Sequence, residues 1–293
     1  RRQEDSAYLV TDYLAQIPSA AALEAPVDAA CRFAMAKWCN EIADFCNYSR
    51  ETSAVALNCL DRFMATPAGR EILSDRNQFQ LAAMTALYTA VKIHEHEAMD
   101  PKLVSTLSRN AHSPEAVEAM ENKMLNAIQW RVNPPTALSF VRNMIDLVPS
   151  HLIDVAERET IMELTVFQLD LAICDYRFSR APASSLAFAS LLNAVDSVIS
   201  DGMFFANFEN TMSGVIHLDH NSLRDIRIAL YEAVNGTEDS MDIQNYAPDS
   251  TENKTMDEYA AQGNVHSSPR SVNAQEVDCV SVTPTSIFIQ ILM

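Results

Sequence analysis

Glycine is scarce in this chain, 5 residues in 293, against a usual share of about 7%. The shortage disfavours glycine-rich phosphate loops and sheets turned by tight hairpins, and it favours helices. Basic charge is also scarce: 21 Lys and Arg face 39 Asp and Glu, a formal net charge of −18. Nucleic-acid affinity rests largely on cations that release counterions, so no direct nucleic-acid binding is expected. The cysteines (Cys31, Cys39, Cys46, Cys59, Cys174 and Cys279) contain no Cys-x-x-Cys pair. Most fall in apolar helical patterns, where a thiol behaves as a small hydrophobe, and a reducing compartment is the expectation. No run reaches the ~18 apolar residues of a membrane span and no charged-then-apolar leader opens the sequence, so no membrane partner is expected. The numbering opens on Arg1 rather than Met, which leaves room for a preceding piece.

What is present is a large apolar content, 48% hydrophobic residues, enough for the roughly two domains that the length predicts. Val27, Cys31, Met35, Trp38, Ile42 and Phe45 recur every three or four positions, the mark of one buried helical stripe. A second helix is predicted from about Glu51 to Met64. Phe79 to Ile93 is apolar on most sides and belongs at the centre of a bundle. Asp100-Pro101 and Ser113-Pro114 each place a capping side chain before a proline, where two further helices begin. Asn133-Pro134-Pro135 stops helix propagation and sets a domain boundary there. Five more helical patterns follow, at roughly 136–147, 152–174, 182–198, 203–212 and 221–234. Beyond Gly236 the sequence turns polar and acidic, too poor in apolar surface to offset chain entropy, and 236–293 reads as a disordered acidic tail with an apolar end, Ile287 to Met293. The organisation expected is an N-terminal segment 1–25, a domain at 26–133, a second at 134–235 and the tail.

Two opposite charges stand in apolar helical runs, Lys92 in Ala90-Val91-Lys92-Ile93 and Glu121 in Ala119-Met120-Glu121-Asn122. Charge in such surroundings is costly unless paired. The two therefore form either an internal bridge or one side of an interface.

Residues 26–148 resemble the cyclin box. Arg32, Trp38 and Glu41 fall on the first helix, Leu60-Asp61-Arg62-Phe63 on the second, Gln80-Leu81 and Lys92 on the third and Glu121 on the fifth, in matching order and spacing. Gln129-Trp130-Arg131-Val132-Asn133-Pro134-Pro135, with Leu138-Ser139-Phe140, looks most like the D-type end of that family, and the second half is loosely similar to the C-terminal cyclin fold. The resemblance implies an all-α protein of two tandem five-helix cyclin-fold domains, in the nucleus or cytoplasm. It also implies a regulatory subunit without catalysis of its own, which binds and activates a cyclin-dependent Ser/Thr kinase in cell-cycle control and needs no cofactor. In that family the positions of Lys92 and Glu121 grip the kinase backbone, and Ile93, Asn122, Leu125, Trp130 and Val132 stand at matching contact positions. Arg32 and Asp61 are implied as a buried structural pair.

Met35, Trp38, Glu41, Phe79 and Gln80, with Cys31 and Ala34, match the groove where cyclins dock substrate or inhibitor peptides. Cys31, Ala34 and Met35 are smaller than or different from the usual Met, Ile and Leu there, and Lys37 replaces the usual acid. A stripe buried only in the core is the competing expectation. His94-Glu95-His96-Glu97 lacks the second ligand of His-Glu-x-x-His, because Ala98 stands in its place, and reads as a solvated helix end. His217-Leu218-Asp219-His220 reads as surface. Ser268-Pro269 and Thr283-Pro284 are candidate sites for a proline-directed kinase. Two other readings stand beside the main one: a cyclin-fold regulator of a transcription-associated kinase, and an all-α metal-dependent hydrolase with His and Asp ligands on facing helices.

Overall fold

Side-chain caps decide where the helices start. In the computed structural model, which describes residues 4–15, 26–149, 151–200, 202–216 and 220–236, Asp28, Ser49, Thr66, Asp75, Asp100, Ser113 and Thr136 each accept a bond from a first-turn backbone N–H. They open α1 (Ala29–Phe45), α2 (Arg50–Met64), α3 (Pro67–Arg70), α4 (Arg76–His94), α5 (Pro101–Leu107), α6 (Pro114–Ala127) and α7 (Ala137–Asp146). Each cap satisfies donors the helix itself cannot. Asp154 and Glu157 form a reciprocal capping box at α8 (Val155–Cys174). Then follow α9 (Ala183–Val198), α10 (Gly202–Ile216) and α11 (His220–Asn235). The described residues contain no strand, and the protein is all-helical. Three short elements escape the sequence pattern, α3, a π-helical turn at Glu4–Tyr8 and a 3-10 turn at Tyr176–Phe178.

Two apolar helices organise the packing. Leu81, Ala82, Ala83, Met84, Ala86, Leu87 and Val91 of α4 are buried, and α1, α2, α5 and α6 wrap them. In the second half, Ala187, Phe188, Leu191, Leu192 and Val195 of α9 are buried among α7, α8, α10 and α11. Each helix is the centre of its own hydrophobic core. A helix with this much apolar circumference is stable only when surrounded. The described residues all fall in one compact unit within Arg1–Asp239. The predicted tail beyond Gly236 lies outside the described residues, as do Cys279, Ser268-Pro269, Thr283-Pro284 and His217 to Asp219.

Glycine scarcity shapes the helix ends. α1, α5 and α6 all finish in the Schellman arrangement, in which a residue of left-handed conformation just past the cap lets the last carbonyls be satisfied. That position is held by Asn47 (φ 56°), Arg109 (φ 55°) and Gln129 (φ 58°), where glycine is usual. The paired bonds are Tyr48 N to Ala43 O (2.7 Å), Asn110 N to Ser105 O (2.9 Å) and Trp130 N to Leu125 O (2.8 Å). A side chain in this conformation costs about 1–2 kcal/mol per residue. Asn110 and Trp130 extend it to a second residue, at φ 61° and 59°.

The segment before α1 is tied to both halves. Pro182 gives α9 no side-chain cap, and Glu4 supplies it instead: Ser184 N and Oγ donate to its carboxylate at 2.8 and 2.6 Å. Negative charge at a helix N-terminus is favourable by its dipole as well. Asp12 accepts from Tyr176 Oη at 2.9 Å and pairs with Arg180 at 2.8 Å. Tyr13, fully buried, donates to Asp61 Oδ1 at 2.9 Å and meets the Tyr176 ring edge-on.

Asp61 is the hub. Arg32 donates to both its oxygens, Nε to Oδ1 at 3.0 Å and Nη2 to Oδ2 at 2.8 Å, while Nη1 reaches the carbonyls of Ile173 (2.7 Å) and Cys174 (3.2 Å) on α8. Both side chains are 3% exposed. Arg32→Met would strand a buried carboxylate, so a loss of about 3–5 kcal/mol is expected in denaturant unfolding.

Burial pushes the Tyr13 phenol well above its ordinary pKa, helped by the negative charge of Asp61 against the opposing Arg32. Burial, joined by the bond to Asp12, carries Tyr176 up to about 12. Unfolded phenols ionise near ~10, so above that pH the unfolded state holds fewer protons and stability falls as pH rises. The urea midpoint should decline from about pH 10 upward, and the double variant Tyr13→Phe/Tyr176→Phe should flatten that decline.

Candidate functional site

Lys92 and Ile93 sit in the last turn of α4, and Glu121 and Asn122 lie on α6 beside it. The Lys92 ammonium donates to Glu121 Oε1 and Oε2, both at 3.0 Å. The Thr89 hydroxyl lies 3.1 Å from Glu121 Oε1, and the Tyr88 ring centroid is 4.7 Å from Lys92 Nζ. Partial burial works against the Lys92 charge, but the bond and charge of Glu121 and the Tyr88 side chain outweigh it and hold its pKa above the ordinary value. A carboxylate has about four acceptor positions, of which Lys92 and Thr89 face three, and the third ammonium donor is directed to Tyr88, so the bridge leaves a lone pair of Glu121 unspent. With 40% of the Lys92 side chain exposed and 14% of Glu121, it is a bridge at the surface, available to a second molecule.

The same surface runs on through a polar ladder at helical spacing. Asn126 Nδ2 donates to Asn122 Oδ1 at 2.9 Å, and Trp130 Nε1 donates to Asn126 Oδ1 at 3.3 Å. These bonds steady an indole that is 63% exposed, and Ile93 is exposed at the other end. Two large apolar groups thus flank an unsaturated ion pair. Asn126 escaped the sequence reading, although its spacing four residues from both Asn122 and Trp130 is a legible signal.

Other expected contact residues are less exposed. Leu125 is buried on α6, and its carbonyl accepts from Trp130 N. Val132 is half-buried against the first core. In the expected peptide groove Phe79 is 1% exposed and Met35 is also buried, so neither offers side-chain surface to a ligand. Both lie on the stripes that α1 and α4 turn inward. Trp38 is half-buried and Glu41 exposed, the latter 3.8 Å from Lys37. Gln80 Oε1 lies 3.1 Å from His112 Nε2. Glu95 is more than a solvated helix end, for it accepts from Ser49 N at 2.9 Å and from the Thr52 hydroxyl. Among the described residues no three His, Cys, Asp or Glu side chains are grouped to hold a metal, and no helix is long and apolar enough to cross a membrane.

Two helical bundles in tandem, each around an apolar central helix, define a cyclin-type fold. The solved viral cyclin from herpesvirus saimiri has a TM-score of 0.55 at 14% identity, covering 71% of this chain and 88% of that one. A chain of the CAK complex from Chaetomium thermophilum bound to ATP-gamma-S gives 0.50 at 15%, covering 70% and 62%. Residues 5–133 match the family model described as Cyclin, N-terminal domain. Cyclin-B2-2 of Arabidopsis thaliana is 24% identical over 223 residues, 76% of this chain and 47% of that protein. G1/S-specific cyclin-D1 of Homo sapiens is 24% identical over 196 residues, 65% and 63%. The chain thus spans about half the length of the first relative and under two thirds of the second. Equal identity to a B-type and a D-type cyclin does not single out the D-type likeness.

A half-exposed ion pair contributes little to folding. Lys92→Ala should therefore change unfolding free energy by less than about 1 kcal/mol, measured by urea denaturation beside Arg32→Met.

Proposed function

We propose that this chain is a regulatory subunit that binds and activates a cyclin-dependent Ser/Thr kinase in control of the cell cycle, and that the kinase performs all phosphoryl transfer. The observation that carries the reading is the continuous surface from Ile93 through Lys92, Glu121 and Asn122 to Trp130. Its unspent lone pair suits a backbone amide of a partner and its exposed ammonium a carbonyl, and Trp130 is the type of aromatic anchor that dominates interface energy. A structural neighbour drawn from the CAK complex and relatives with cell-cycle names support a kinase partner. In this reading the two cores are tandem cyclin domains, 26–133 and 134–235, and the protein works in the nucleus or cytoplasm. Peptide docking, in this reading, falls to the groove of Met35, Trp38, Glu41, Phe79 and Gln80, of which Trp38, Glu41 and Gln80 keep exposed surface.

Activation is then a shift of population. A kinase needs its strand lysine paired with the glutamate of its mobile regulatory helix before phosphates are positioned. A subunit that binds only the helix-in state selects it. Reversing a 1:99 equilibrium requires roughly 10⁴-fold preference, a magnitude within reach of an interface built on desolvated charge and a buried indole.

The test is calorimetric binding to a panel of purified cyclin-dependent kinases, followed by phosphorylation of a peptide substrate. Glu121→Ala should cost about 2–5 kcal/mol of binding by leaving partner groups unpaired. That corresponds to about 30- to 4,000-fold in Kd. Wild-type binding and activation by this variant would remove the reading, as would the absence of any binding kinase in the panel.

A further inference from the structure

Arg62 is buried without a carboxylate. It follows Asp61 on α2 and is 7% exposed, yet among the described residues no acidic side chain lies within ion-pair distance of it. Its partners are peptide oxygens instead: Nη1 donates to Arg131 O at 2.7 Å and Nη2 to Ile128 O at 3.4 Å. Asn58 Oδ1 adds a weaker bond at 3.4 Å. Over its other face lies the ring of Tyr8, with the guanidinium carbon 4.7 Å from the centroid, and Asn58 Nδ2 holds the Tyr8 carbonyl at 3.4 Å. A buried guanidinium is unfavourable unless its donors are satisfied, so the requirement runs both ways. Arg62 needs these carbonyls, and the segment that carries them is fixed by Arg62.

The two carbonyls bracket Gln129 and Trp130, the pair of successive left-handed residues at φ 58° and 59°. A bulky non-glycine residue in that region is an outlier that persists only where its surroundings over-determine it. The cap bond from Trp130 N to Leu125 O and the bond from Trp130 Nε1 to Asn126 Oδ1 hold the residue to α6. The Arg62 fork ties the two ends of the turn to a different helix, α2, deep in the first core. We infer that Arg62 is a positioning residue for the partner-binding surface: it clamps the 128–131 turn in the strained form that presents the Trp130 indole, and Tyr8 from the N-terminal segment closes over the clamp. The partner half of this inference rests on the kinase-regulator reading; the clamp itself does not.

Two measurements on the full chain separate them. In the first, without any partner, amide hydrogen exchange is followed by mass spectrometry in wild type, Arg62→Lys, Arg62→Met and Tyr8→Ala. One ammonium cannot serve both carbonyls with a fork, so Arg62→Lys keeps the charge and loses the clamp. Exchange across 126–132 should quicken by about tenfold or more in both Arg62 variants and less in Tyr8→Ala, with α4 and α9 unchanged. Unchanged exchange at 126–132 overturns the clamp; acceleration spread equally over all helices reduces Arg62 to a general stabilising residue and overturns it too. If Arg62→Met does not fold, Arg62→Lys and Tyr8→Ala carry the test.

In the second measurement, Kd for the tightest-binding kinase of the purified panel is taken through a double-mutant cycle. If the competent turn falls to a tenth of the population, Arg62→Lys weakens binding about tenfold. In a Trp130→Ala background the same change should weaken it by less than about twofold, because both act through one indole. Additive losses overturn the positioning role. If no kinase binds wild type, the functional reading falls, while the exchange result still decides the clamp.

Discussion

One buried ion pair joins the N-terminal segment to both bundles. Asp61 on α2 takes both Arg32 of α1 and the Tyr13 hydroxyl of the N-terminal segment, and the free arm of Arg32 reaches the carbonyls of Ile173 and Cys174 on α8. Hydrophobic burial alone is non-directional; it would hold two bundles together in many orientations. Bonds from a planar guanidinium are directional. Moving α8 against α1 would break them in a medium where a lost partner is expensive. The pair therefore limits which arrangement of the two bundles survives, and with it where the N-terminal segment must lie. As a contribution to net stability it is modest when compared with an apolar replacement, and its value is in specifying the arrangement.

The contrast with Lys92 and Glu121 shows how environment assigns roles to the same chemistry. Both pairs are bidentate, at 2.8 to 3.0 Å for their shortest contacts. One is sealed from water and saturated by carbonyls and a phenol. The other stands in solvent on one side, steadied by Thr89 and Tyr88, with an acceptor position left over. Coulomb attraction in water-like surroundings is weak, so the second pair adds little to folding. Covered by a partner, the same charges sit in a lower dielectric and become strong determinants of binding and specificity.

Much of this was legible in the sequence because it depends on local rules. Asp100-Pro101 and Ser113-Pro114 fix α5 and α6 by capping chemistry, and the apolar circumference of Phe79 to Ile93 places α4 at the centre of its bundle. The same apolar circumference hides which positions of α4 reach the surface: a helix surrounded on most sides offers no periodicity by which to tell inward from outward, and Phe79 is core while its neighbour Gln80 is half-buried. The N-terminal segment was invisible for another reason: its contacts bridge Glu4 to Ser184 and Asp12 to Tyr176. No local pattern encodes a bond across more than 160 positions.

The glycine shortage that first pointed to helices also decides how they end. A chain with few glycines must place ordinary residues in left-handed caps, as at Asn47, Arg109 and Gln129, and each stores conformational energy that something nearby must offset. At Asn47 the residue type helps, because asparagine tolerates the region better than most. At Gln129 and Trp130 nothing in the residue type helps. The hold comes from Arg62 and the ladder through Asn126, with backing from Tyr8. An exposed indole would ordinarily sample several rotamers and lose that freedom on binding. Strain restrained by the core removes part of that loss in advance. The path from Asp61 and Arg62 on adjacent positions of α2 thus leads in two directions, one neighbour ordering the bundles and the other ordering the surface they carry.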